Sequence, residues 1–286
     1  MRALQSGRWV LAALAIALST NACGQAPQQP KRKAAESLPA GIEQGRTVNG
    51  RTYTNAPVDV KLGPNTFRIP ANYLDSQIAP WPGEGVTLVI EWPDMKPTYP
   101  GARVHPRTND FRKEIQVLVN YVDRVPIETL LAFTSSNERT TEAGSLERED
   151  PSDRLDLRVA QPEQMGLTPY SIEERRMEAY MKRYEAKYGS SYRRGRYSDR
   201  DWFVRRSSDG NIATFIKCDR ERDTDDGAKV GAGAAGTRTL PLAGCVHYLV
   251  DVENSLSISL HYTRDFLPKW KMMEVAVRSV LVESRR

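Results

Sequence analysis

Three cysteines constrain this 286-residue chain more than any other feature, because each stands at a boundary. Cys23 closes an apolar run that starts at Trp9, whereas Cys218 and Cys245 each abut a stretch in which apolar and polar residues alternate. Alternation with a period of two marks a half-buried strand. A bond between Cys218 and Cys245 would therefore staple neighbouring strands and close the Gly/Ala/Asp-rich segment between them into a loop. On the chain-entropy account, closing a loop of that length contributes about 3 to 4 kcal/mol.

Such a bond needs an oxidising compartment, and the N-terminus provides the route to one. Arg2 and Arg8 form a positive front, the apolar core from Trp9 to Leu18 is too short to span a bilayer, and Ser19 to Ala22 are small or polar. Together they describe an export signal over residues 1–22. If Cys218 pairs with Cys245, Cys23 is the odd cysteine. Thr20-Asn21-Ala22-Cys23 resembles the lipobox of bacterial lipoproteins, in which that cysteine is acylated, and acylation accounts for the odd thiol. Thr20 departs from the usual Leu, so a signal-peptidase site using Thr20 and Ala22 is the alternative. Residues 23–57, rich in Gln, Pro, Gly, Ala and Lys, read as a flexible tether reaching about 30 to 35 Å. By the same resemblance, Gly24 in place of Asp favours the outer membrane, with residues 58–286 facing the periplasm.

Loss of Arg2 and Arg8 with the signal takes the formal net charge from +5 to +3. That mild balance, in an exported chain, argues against a nucleic-acid partner. The residues after the tether suffice for one large domain or for two similar-sized lobes, 58–160 and 165–286.

The pattern beyond residue 200 predicts four antiparallel strands. "WFVRR" and "IATFIKC" flank an Asp209-Gly210 turn, with Trp202, Val204, Ala213 and Phe215 on one face. Val246, Tyr248, Val250 and Val252 alternate in the third strand, and Leu256, Ile258, Leu260 and Tyr262 in the fourth. A three-residue loop centred on Asn254 would put both apolar sets on one face and pair His247 with His261 on the other. The disulfide register would set Phe215 opposite Tyr248. Trp270, Met273, Val277, Val280 and Leu281 then form a helical stripe that covers the sheet. A second helix is bracketed by a Ser171–Glu174 capping box and Gly189. "VTLVIEW" and "EIQVLVNYV" read as strands, "NTFRIP" and "RLDLRVA" as weaker ones, and Pro126 to Phe133 as a short helix. The expected class is α+β with an antiparallel sheet.

Few residues point to a reaction. "GAGAAG", Gly231 to Gly236, matches a dinucleotide fingerprint in spelling, yet no strand precedes it and no helix follows, so it reads as a flexible loop. No cofactor is expected. A His247–His261 pair could contribute to a metal site but lacks a third ligand in view, which leaves both as weak candidates. His105, in a proline-rich loop, has no visible partner. Carboxylates such as Glu91 and Asp94 could serve as an acid/base pair, though nothing distinguishes them from solvated acids, and Glu221, Asp223, Asp225 and Asp226 lack calcium-loop spacing. No catalytic residue is assigned. "SYRRGRYSDRDWFVRR" differs in kind, since it interleaves Tyr192, Arg193, Arg194, Arg196, Tyr197 and Arg200 with Trp202. Tyr, Trp and Arg dominate interface hot spots, which makes this segment the candidate for binding a protein partner.

"FRIPANYL", "VTLVIEWPDMKP" and the ending from Cys245 to Trp270 resemble Gram-negative envelope lipoproteins, some associated with type VI secretion loci as immunity proteins. The resemblance implies a periplasm-facing binder that blocks a delivered toxin. A structural or assembly lipoprotein of the envelope is the alternative, and an envelope hydrolase or metal-binding protein a more distant one.

Overall fold

Alternating sequence becomes strands over most of the chain. The computed structural model describes residues 41–83, 85–195, 198–220 and 243–286. The export signal, Cys23, the first part of the tether, Arg196, Tyr197, the acidic run after Arg220 and Gly231 to Gly236 lie outside the described residues. In chain order the elements are β1 (Gln44–Val48), β2 (Arg51–Thr54), β3 (Pro57–Leu62), β4 (Asn65–Pro70), β5 (Gly85–Glu91) and β6 (Glu114–Tyr121). They continue with α1 (Leu130–Thr134), β7 (Val159–Ala160), β8 (Thr168–Ser171), α2 (Glu174–Tyr188), β9 (Asp201–Arg206), β10 (Ile212–Cys218), β11 (Gly244–Asp251), β12 (Leu256–Thr263) and α3 (Trp270–Ser284). Eight strands form one antiparallel sheet in the order β5-β6-β12-β11-β10-β9-β8-β7, so strands from both expected lobes share it. The α+β class and the covering helix are as the sequence predicts.

Cys218 and Cys245 are register partners on β10 and β11 and form the expected disulfide, which places Phe215 opposite Tyr248. The β11–β12 hairpin corrects the predicted register by one residue. Asp251 pairs with Leu256 and leaves four residues in the turn, not three. The Asp251 carboxylate holds this longer turn, accepting from the Asn254 N–H at 3.2 Å and from Asn254 Nδ2 at 2.7 Å. Ser255 takes a left-handed φ of 52°. A slip of one residue turns a strand over. His247 accordingly pairs with Leu260 and points into the core, while His261 pairs with Val246 on the opposite side.

The inner face of the sheet is sealed by α3 and the β3–β4 hairpin. Trp270, Met273, Val277 and Leu281 from α3 meet Phe67 and Ile69 from β4 and the strand residues Val117, Ile216, Leu249, Ile258 and Leu260, all buried. Full burial of each such side chain contributes roughly 1.5 to 3 kcal/mol. Three local expectations change. The stretch expected as tether up to residue 57 already contains the β1–β2 hairpin, where Tyr53 is buried and Arg46 Nη1 donates to the Gly101 and Pro106 carbonyls at 3.1 and 3.0 Å. "RLDLRVA" is a short 3-10 turn, Leu155–Leu157, followed by the two-residue β7, because Leu155 packs across the sheet and does not extend along it. Ser171 is drawn into β8, so no capping box forms, although Gly189 ends α2 in the left-handed conformation at φ 66°.

Candidate partner-binding surface

The strand registers define the outer face of the sheet row by row. One row runs Thr87, Leu118, Ser259, Tyr248, Phe215 and Val204. The next runs Gln116, His261, Val246, Lys217 and Trp202, and a third joins Asn120, Ser257 and Val250. The two halves of this face differ. At the β9–β10 end Trp202, Val204 and Phe215 are buried beneath Leu155, with Trp202 edge-on to Phe215 at a centroid distance of 5.0 Å. At the β6–β12 end Gln116, Leu118 and His261 are exposed, with Asn120, Ser257 and Ser259 half-buried beside them.

The covered half holds two cations, Arg158 buried and Lys217 half-buried. The Arg158 guanidinium lies 3.8 Å from the Trp202 ring centre and donates to the Pro151, Ser152 and Arg200 carbonyls at 2.9, 3.0 and 2.8 Å. Lys217 Nζ lies 4.4 Å from the same ring and donates to the Thr134 carbonyl at 3.2 Å. Burial lowers both, Arg158 to about 10 and Lys217 to about 8. Beside them a groove of about 630 Å³ opens between residues 132–160 and the β9–β10 turn, lined by Arg154, Asp156, Tyr170, Arg206 and Asn211 among others. Its charges are largely matched within the chain, since Arg154 pairs with Glu138 at 2.8 Å and Asp156 at 2.6 Å.

The arginine-tyrosine segment is only partly a free surface. Tyr192 packs edge-on to Tyr180 and Tyr184 at 5.3 and 5.2 Å and donates to Asp150 Oδ2 at 2.9 Å. Burial pushes its hydroxyl up to about 12. Arg194 pairs with Glu174 at 2.6 Å and with Asp199, and Arg200 Nε donates to Asp219 Oδ1 at 3.1 Å. Arg220 extends this ladder to Asp199 at 3.3 Å and Asp201 at 3.6 Å, and Asp201 meets Arg264 at 2.7 Å. Arg193 is exposed. A local run of arginines shows nothing of this ladder. The acids were in view in sequence, but their partners are brought together by β9, β10 and the segment after β12.

His247 belongs to a buried polar knot on the inner face. Glu274 Oε1 accepts from Thr214 Oγ1 at 2.7 Å and lies 3.0 Å from His247 Nε2, whose other ring nitrogen is 3.5 Å from the Tyr262 hydroxyl. Burial raises the Glu274 carboxyl, but the His247 and Thr214 contacts outweigh it and hold the group below its usual range. His261 is on the other side of the sheet, so the two rings do not meet. Among the described residues no group of three or more His, Cys, Asp or Glu side chains is placed to hold a metal ion. Nor is any helix among them long and apolar enough to cross a membrane. Glu91 accepts from Asn109 Nδ2 at 2.9 Å, whereas Asp94 is solvent-exposed, and His105 is exposed in its loop.

No protein-family profile and no curated protein matches the chain. One solved structure does. It is that of Smlt3025, an immunity protein of the Stenotrophomonas maltophilia type IV secretion system, at 62% sequence identity and a TM-score of 0.78, over 85% of this chain and 99% of that one. The secretion system named for it is type IV, where the sequence resemblance pointed to type VI loci; the two agree on the immunity class.

Proposed function

Because this chain belongs to the family of the immunity protein Smlt3025, we propose that it protects its own cell by binding and neutralising a protein toxin delivered through a type IV secretion system. The observation that carries the reading is 62% identity over nearly the whole of the relative. Physical features agree with it. Glu274, His247 and Thr214 bond to one another, and the aspartates of the ladder are engaged by arginines of the same chain, which suits a scaffold that acts by occupying a surface.

In this reading the chain works at the periplasmic side of the envelope, exported by residues 1–22 and held by a lipid on Cys23. Its partner is a toxin, and neither nucleic acid nor a cofactor takes part. Deleting the gene in its host and challenging the mutant with sister cells tests the function. Killing only by attackers with a working type IV system, reversed by restoring the full chain, is the expected result. Equal survival against attackers with and without that system would reject it. Fatty-acid labelling lost in Cys23→Ser tests the anchor separately, and equal labelling of both chains would reject it.

A further inference from the structure

We infer that the toxin seats on the open half of the outer sheet face, where Gln116, Leu118 and Asn120 of β6 lie beside Ser257, Ser259 and His261 of β12. This rests on the immunity reading above and adds to it the place and the chemistry of contact.

Charge is the first argument. In a chain with 27% charged residues, none of these six side chains is an acid, a lysine or an arginine. His261 does not alter that, because partial desolvation of its ring and the nearby Arg200 charge both lower its pKa and leave it neutral at neutral pH. Charged groups stand at the margin, already paired: Arg200 with Asp219, and Arg107 with Glu114 two residues from Gln116. An uncharged centre with a charged rim is the distribution found at protein interfaces.

Complementarity then fixes the partner's chemistry. A lysine or carboxylate pressed onto this face would lose water and find no opposite charge, which penalises charged partners strongly. Side-chain hydroxyls and amides at Ser257, Ser259, Gln116 and Asn120 can instead donate and accept, around an apolar centre at Leu118, which is 37% exposed. The fitting partner is therefore a toxin segment without charge, rich in hydrogen-bonding groups and carrying an apolar side chain. The face is also rigid. β6 and β12 each have strand neighbours on both sides, so little conformational entropy is lost when a partner seats. The short side chains Ser257 and Ser259 let that partner approach the sheet closely.

The test is carried out in the deletion host. It is complemented with the full chain as wild type, Gln116→Arg, Ser259→Arg, the double variant, or Asn211→Arg in the groove, and challenged by sister cells with a working type IV system. The expected result is at least a tenfold loss of survival with the double variant, at wild-type abundance and thermal midpoint, and full survival with Asn211→Arg. Full protection by the double variant would overturn the assignment and leave the immunity reading intact. Loss with Asn211→Arg alone would move the docking site to the groove. Failure of the wild type to protect would instead count against the immunity reading. If an arginine lowers the thermal midpoint, His261→Asp puts a charge on an exposed side chain of the same face, and loss of protection is again expected.

Discussion

His247 and His261 lie on one hairpin, fourteen positions apart in sequence and on opposite sides of one sheet, and they contrast its two faces. On the inner face His247 is fully buried, shares Glu274 with Thr214, and has its ring edges against Tyr262 and Trp270. On the outer face His261 stands exposed beside Ser259 and Gln116. The same strands thus use polar residues in two ways. Where they are sealed under α3 the polar atoms satisfy each other and hold the fold. Where they are left open they remain for a partner.

The largest effect should come from breaking the inner knot. Glu274→Ala leaves His247 Nε2 and Thr214 Oγ1 without an acceptor in the core and should cost about 4 to 5 kcal/mol. For a domain of this size that lowers the thermal midpoint by about 10 °C, readable by circular dichroism. His261→Ala on the open side should change stability by less than about 0.5 kcal/mol. Equal losses from the two changes would erase the contrast between the faces. Reducing the disulfide should come next, at about 3 to 4 kcal/mol in denaturant titrations, since Cys218 and Cys245 close the 219–244 loop.

Titration sharpens the comparison at smaller scale. Glu274 has a folded pKa below its unfolded one, so its contribution is complete above the unfolded carboxyl value and is lost as pH falls through the folded value. Glu274→Gln should flatten that acid limb of the stability curve. Lys217 has the opposite consequence. Its folded pKa, near 8, lies below the ordinary 10.5, so the unfolded chain holds more protons between those values and stability should rise with pH across that window. Lys217→Met should abolish the rise, and a rise that persists would assign it to other groups. The smallest effect on stability belongs to Leu118→Ala, at under about 0.5 kcal/mol, although it removes the apolar centre of the proposed docking face.

Much of this was legible in sequence, for identifiable reasons. β9 to β12, the disulfide and α3 follow from period-two and helical patterns long enough to be unambiguous. Past Glu114, the alternate positions Gln116, Leu118 and Asn120 and their neighbours Ser257, Ser259 and His261 already mark one uncharged face. The side chosen by His247 was not legible, because it depends on one residue of turn length, set by Asp251 bonding to Asn254 and by a serine with positive φ. The ion pairing of the arginine segment was not legible for a related reason. A run of arginines is visible locally, while Asp199, Asp201, Asp219 and Glu174 reach them only through the fold. β1 and β2 were hidden because polar, Gly-containing sequence can still pair when other segments, here residues around Gly101 and Pro106, receive its side chains.

The central claim is neutralisation by stoichiometric binding. Sedimentation velocity of the purified full chain, mixed with the toxin delivered by the type IV system of the challenge strain, tests it most directly. A single faster species at equimolar ratio, in which the toxin has lost its activity, is the predicted result. Two species sedimenting as they do alone, with toxin activity unchanged, would contradict it.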